Sequence, residues 1–452
     1  MKKLFLVLIA TLGGSQIANA FDLTAAYQQA LIYNADYLKQ IASTDSTLEQ
    51  KNIARAQLLP QINGTASLTE NYFNGSGVTA YYHQPIYGVT LQQTIFDWSK
   101  YSAFSKGKYA AQVGDLQLVN AKQQLLVTVA QAYFDVLYAQ DTLLSIQKTK
   151  DALEKQMNQA KKSFEVGTVT IADVNDAQAG FDSSSAQEIQ ATNDLIYKKN
   201  IFQNLTGLDP NLIQGLNDNI QLDLPSPQNV KVWAKRAESG NFNIQIADKQ
   251  LAMANQDVDI AISGHLPSVN LVGGYTYTDT AGIDSVSGPE SQINNISNIA
   301  GTPISSYAVG SLGVQLNLPI YSGGGVSAQV RQAKANYQAA QQQLVSVERT
   351  TDQNVQNTYW QVQNGVSIVK AQQTALKSAK SKLDSDQLGY QVGVRNSVDL
   401  VNSQKNYYQT FTTYQQTRYQ YLLARVQLRY LSGSVDDKFV RDINANIKPT
   451  QP

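Results

Sequence analysis

Two ten-residue stretches concentrate the side chains of this 452-residue chain that could do chemistry, and both follow one order. Phe164-Glu165-Val166-Gly167-Thr168-Val169-Thr170-Ile171-Ala172-Asp173 and Tyr390-Gln391-Val392-Gly393-Val394-Arg395-Asn396-Ser397-Val398-Asp399 each place an aromatic residue three positions before a glycine and an acid six positions after it. Gly167 and Gly393 permit the left-handed conformation that ends a helix. Thr170 and Asn396, each three residues before its aspartate, then start a new helix with capping-box spacing, Asp standing in the usual Glu place. Acids in a first helical turn are also favoured by the helix dipole, so Asp173 and Asp399 both have a purely structural explanation. Tyr390 has one as well, as a core aromatic whose hydroxyl needs a partner. Neither stretch sets a nucleophile beside a base, and no enzyme active site is read from them.

Other chemistry is excluded by composition. Cysteine is absent, which removes disulfide scaffolds, thiolate metal centres, a cysteine nucleophile and acylation at a mature N-terminus. His83 and His265, the two histidines, sit on unrelated segments, so no metal or other cofactor is expected. The Gly323-Gly324-Gly325 run opens a helix but lacks the phosphate-loop lysine. Lys2 and Lys3, the apolar Leu4–Leu12 and the small-residue Ala18-Asn19-Ala20 read as a secretory signal over residues 1–20, with Phe21 starting the mature chain. Losing it leaves 33 basic against 35 acidic residues, so no nucleic-acid face is implied.

The elements that must position the two stretches come in duplicate. Asn34–Ile62 lies over Asn241–Val269 at a shift of 207, with Leu59-Pro60 on Leu266-Pro267, and the two glycine turns match at a shift of 226, as do Leu205-Thr206-Gly207 and Leu431-Ser432-Gly433. The difference falls mostly in the Gly/Ser/Asn-rich Asp279–Ser306, an expected exposed loop. Residues 21–229 form a first repeat, with strands at about 61–96 and a helical hairpin at about 98–206. Residues 230–440 form a second, with strands at about 268–319 and a hairpin at about 324–432, followed by a 441–452 tail.

Alternation marks strands at Gln61–Leu68, Tyr87–Gln92, Val269–Thr278 and Tyr307–Leu318. Four strands of roughly ten residues have the length and pattern of membrane β-strands. No proline interrupts Trp98 to Pro210 or Pro319 to Pro449. The first long helix, about Trp98 to Val166, would therefore extend about 100 Å. A seven-residue stripe runs through Val129, Val136, Leu143, Lys150, Met157 and Phe164, and its counterpart through Val355, Val362, Val369, Leu376, Leu383 and Tyr390. That spacing predicts coiled-coil packing of hairpin on hairpin.

Beyond the signal no apolar stretch is long enough for a transmembrane helix, and a closed barrel is the other structure that satisfies backbone groups in lipid. Four strands cannot close a barrel with a usable interior, so several chains must share one. The duplicated halves, the Leu-Pro approach to each strand pair, the Ile95-Phe96-Asp97 and Ile320-Tyr321-Ser322-Gly323-Gly324 lead-ins to the long helices and the paired Val-Gly turns together resemble the TolC family of outer-membrane channels, over residues 21–440.

The resemblance implies an α+β membrane protein: a homotrimer whose twelve-stranded barrel, four strands per chain, continues into the periplasm as an α-helical coiled-coil tunnel. It implies docking to a periplasmic adaptor and to an inner-membrane transporter of the RND, ABC or MFS type, with outer-membrane lipid around the barrel. It also assigns roles at the tip. Tyr390 and Arg395 would tether each tip to its neighbour and hold the entrance closed, Asp173 would partner the tyrosine, and Asp399 would ring the constriction. The family's second acidic ring would fall on Asn402, which is neutral here, whereas Asp176 is the matching first-half residue. Two rivals are a coiled-coil surface stalk or adhesin, which needs no paired amphipathic strands, and a general porin, which needs many strands and little helix.

Overall fold

The computed structural model of the chain describes residues 20–75, 78–279, 282–287 and 306–447. Apart from Ala20, the expected signal lies outside the described residues, as does most of the loop expected at Asp279–Ser306. The chain order is α1 (Leu23–Tyr33), α2 (Ala35–Ala56), β1 (Gln61–Gly75), β2 (Val78–Phe96), α3 (Trp98–Glu165), α4 (Ile171–Thr206), α5 (Val230–Gly240), α6 (Phe242–Ser263), β3 (Ser268–Asp279), β4 (Gly282–Ser287), β5 (Ser306–Asn317), α7 (Gly325–Gln391), α8 (Ser397–Leu431) and α9 (Asp437–Asn444). These elements fall into two compact units, one of Ser43–Leu116 with Ile246–Ser346 and one of Met1–Ala42, Gln117–Gln245 and Val347–Pro452.

The first unit is built on an antiparallel sheet of order β1-β2-β3-β5, with β4 on the far part of β2. Opposed residues, and residues two apart on a strand, share a face. The register therefore places Ile62, Leu91, Gly273 and Leu312 in one row and Ala66, Tyr87, Tyr277 and Ala308 in another on the same side. The opposite side carries Asn63, Thr90, Gly274 and Ser311, then Thr65, Gly88, Thr276 and Val309. Over these rows one face is mostly apolar and the other mostly small or polar and uncharged, with Val309 an exception. Ile62, Val314 and Leu312 of the apolar face are exposed in the single chain. At the helical end of this unit Gly107 lets α2 approach α3, since a Cβ there would lie 3.2 Å from the α-carbon of Lys51. Lys106 and Asp257 tie α3 to α6 at 2.6 Å.

β1 and β2 run well past Leu68 and Tyr87, where alternation was legible. The added ladder pairs Glu70 with His83 and Tyr72 with Tyr81. The two tyrosine rings meet at 4.8 Å between centroids. These pairs bond as a sheet while breaking the apolar–polar rhythm. β4 lies inside the stretch expected as a loop, and pairs with Thr79–His83 of β2, beyond the end of β3.

The second unit is helical. Its hairpins join α3 (68 residues) to α4 (36) and α7 (67) to α8 (35). The stripe residues Val129, Val136, Val355, Val362 and Val369 are buried in its core beside Tyr133, Phe134, Phe202 and Leu422. Further along, Lys150 occupies a stripe position and pairs with Glu188 at 2.8 Å rather than packing. Phe21 is built into this core: its N–H donates to the Leu212 carbonyl at 3.0 Å, and its ring stacks on Phe202 at 5.8 Å. Gly433, at φ +62°, faces Gly240 so closely that a Cβ would sit 1.9 Å from its carbonyl oxygen. No larger residue fits there.

Phe202 has no exposed surface and contacts the rings of both Phe21 and Tyr133. Phe202→Ala should cost about 3–5 kcal/mol, read as a lowered denaturation midpoint in detergent. A cost under ~1 kcal/mol would mean that the core collapses around the cavity or that the ring is not packed.

Candidate functional site: the two hairpin tips

Both tips end their first helix in the same way. Thr168 N–H reaches the Ser163 carbonyl at 2.9 Å and Gly167 N–H reaches Phe164 at 2.9 Å, with Gly167 at φ +74°. In the second tip Val394 N–H reaches Gly389 at 2.9 Å and Gly393 N–H reaches Tyr390 at 3.1 Å, with Gly393 at φ +80°. This pair of bonds around a left-handed glycine is a Schellman end, and it satisfies the last carbonyls of α3 and α7.

Beyond the glycines the tips diverge. In the first, the Thr170 hydroxyl accepts from Asp173 N–H at 3.3 Å and the Asp173 carboxylate accepts from Thr170 N–H at 2.8 Å, a complete capping box. The same carboxylate accepts a hydrogen bond from the Thr170 hydroxyl at 2.7 Å. These bonds, hydroxyl first and amide second, hold the Asp173 carboxyl below the usual range. In the second tip Asn396 caps Asp399 N–H at 2.7 Å, but the Asp399 carboxylate lies 3.7 Å from Arg395 Nη1. Arg395 also places Nε 3.5 Å from Asp386 Oδ1.

Asp386 is 4% exposed. Its Oδ2 accepts from Lys382 Nζ at 2.5 Å and from the Ser403 hydroxyl, while Lys382 also donates to Ser403 Oγ at 2.8 Å. The Lys382 bond, then the Ser403 bond, then the charges of Lys382 and Arg395 hold its carboxyl below the usual range. A row of alternating sign results: Lys382, Asp386, Arg395, Asp399.

The structure thus joins Arg395 and Asp399, two of the residues singled out from sequence. Tyr390 turns instead to α3, donating to Gln159 Oε1 at 2.5 Å. Within the chain Asp173 is engaged by Thr170. Asn402 and Asp176 are exposed. Asp386, Lys382, Ser403 and Gln159 were not singled out, although a signal for Asp386 exists. It stands seven residues past Ala379 on a seam stripe, where the first-half counterpart is Ala160. An acid on an apolar stripe marks a polar cluster.

Among the described residues no group of His, Asp or Glu could hold a metal ion. Nor is any described helix long and apolar enough to cross a membrane.

Comparison with known proteins covers almost the whole chain. The model of the family described as Outer membrane efflux protein matches residues 26–208 and 233–434, one segment in each half. Outer membrane protein TolC of Escherichia coli K12 is 32% identical over 451 residues, spanning 98% of this chain and 89% of that protein. Alkaline protease secretion protein AprF of Pseudomonas aeruginosa is 25% identical, over 95% of this chain and 88% of its own. In structure, the Campylobacter jejuni CmeC outer membrane channel superposes with a TM-score of 0.76 at 18% identity, covering 94% of this chain and 90% of that one.

Because its folded pKa is lowered, the Asp173 cap stabilises the first tip above the ordinary carboxylate range and weakens as pH falls through the lowered value. Asp173→Asn should speed amide exchange at residues 170–174 near neutral pH and lose this effect in acid, read by hydrogen exchange with mass spectrometry. Equal exchange in the two proteins at neutral pH would remove the cap from the tip's stability.

Proposed function

We infer the function from kinship, since the chain belongs to the outer membrane efflux protein family. It is the outer-membrane exit duct of an export system, passing small toxic solutes or secreted protein outward. The observation that carries the reading is the two-faced sheet, apolar on one side and uncharged polar on the other, whose strands lead directly into long helices. Among the described residues the outer edges of β1 and β5 have no strand partner. Edges in lipid must be closed, and the solution is β1 of one copy against β5 of the next. The family supplies the count of three, hence a homotrimer with a shared barrel. Leu312, Val314 and Ile62 then face outer-membrane lipid, and the Asn63, Thr65, Thr90 and Thr276 side lines the water-filled bore. Its neutrality suits varied cargo, so selection rests with an inner-membrane transporter reached through a periplasmic adaptor.

The periplasmic entrance is gated at the second tip. Three copies of Tyr390, Arg395 and Asp399 meet there, with Asp173 near the tyrosine and Asn402 one helical turn inward, and carboxylates gathered on the axis favour cations.

Replacing Tyr390 and Arg395 together by apolar residues should raise single-channel conductance in planar bilayers several-fold. Unchanged conductance would sink the tether. Asp399→Ala should reduce cation preference, seen as a reversal potential in a salt gradient that moves toward zero; a fixed potential would limit Asp399 to its contact with Arg395.

A further inference from the structure

We propose that Asp386 is the positioning residue of the gate, a carboxylate sunk in the α7–α8 seam that seats Arg395 on its own hairpin. The inference rests on the gate reading above and adds what holds the gate's arginine within the chain.

Among the described residues Asp386 is the one buried carboxylate. A buried charge is tolerated where it is paired and hydrogen-bonded, and here the pairing is divided between the two oxygens. Oδ2 takes Lys382 and Ser403, whereas Oδ1 faces Arg395. The Lys382 and Ser403 bonds are direct. The Arg395 contacts, at 3.5 Å to Asp386 and 3.7 Å to Asp399, are longer than hydrogen bonds and belong to a half-exposed side chain. The carboxylate is therefore anchored firmly on one side and holds the arginine loosely on the other, as a latch that must release requires.

The duplicated half shows that this polarity is not needed to close a hairpin. At the 226-residue shift, Asp386 and Ser403 stand over Ala160 and Ala177, Lys382 over Gln156, and Arg395 over Val169. Ala177 is buried in the first hairpin much as Ser403 is in the second. An apolar pair, Ala177 buried and Ala160 partly so, closes the first seam, and a buried ion pair is seldom more stabilising than apolar packing. Stability leaves Asp386 unexplained.

Gly389 is the second half of the seat. A Cβ there would lie 2.7 Å from Arg395 Cγ, and the Arg395 N–H donates to the Gly389 carbonyl at 3.1 Å. The stem of the arginine thus lies on bare backbone one turn from Asp386, and the first-half counterpart, Ser163, offers no such floor.

The experiment compares Arg395→Ala, Asp386→Asn, both together, and Asp386→Ala with Ser403→Ala in planar bilayers, using trimers isolated intact. The last variant installs the first half's own seam pair and should keep the native denaturation midpoint. Each single change should raise conductance several-fold, the D386N/R395A double should exceed R395A by less than twofold, and the alanine pair should match D386N. Two results overturn the role of Asp386 while leaving the gate intact: native conductance in D386N beside raised conductance in R395A, or a double whose increase is the product of the two singles. Native conductance in R395A itself would instead overturn the gate reading beneath it.

Discussion

Peptide groups on the outer edges of β1 and β5 have no strand partner within the described chain, and lipid offers them none. Most of the architecture answers to that constraint. A sheet with one apolar and one polar face must curve so that the apolar face meets lipid and the polar face meets water, and its open edges must be closed by copies of itself. β2 reaches α3 after a single residue, so the sheet and the first long helix are one continuous path of chain. The seven-residue stripes provide the packing among the helices, with Val129, Val136, Val355 and Val362 buried in the helical core.

The two halves are alike along their helices and unlike past the turn glycines. α3 and α7 differ by one residue in length, as do α4 and α8, and both hairpins end on a left-handed glycine with the same carbonyl bonds. Past that glycine, the first tip uses its acid to complete a capping box, while the second leaves the cap to Asn396 and turns Asp399 toward Arg395. One template carries an arginine beside its acid in one copy and a closed capping box in the other.

Helix positions, the turn glycines and the sheet's alternating faces were legible in sequence because each has a period or a steric requirement. The Thr170 box could be read three residues ahead of Asp173 for the same reason. The far reach of β1 and β2 could not, since Glu70–His83 and Tyr72–Tyr81 pair across the ladder without alternating in hydropathy. Nor could the Asp386 cluster be assembled, because Lys382 lies one turn before it on α7 while Ser403 comes from another helix, and only packing brings them together. Tyr390 shows a further limit: its stripe position was legible, but the bond to Gln159 on α3 depends on how two hairpins meet.

β2 continues seven residues beyond Pro85, past the end of β3, and there its neighbours are β1 and the short β4 rather than β1 and β3. A ribbon of two strands alone is marginal in water, and a third strand makes it self-supporting. Its length is consequently uncoupled from the bore: residues can be gained or lost in this overhang without changing how many strands circle the channel or which way their side chains point. The number of strands in the main sheet and the length of this overhang are thereby set by different pairings.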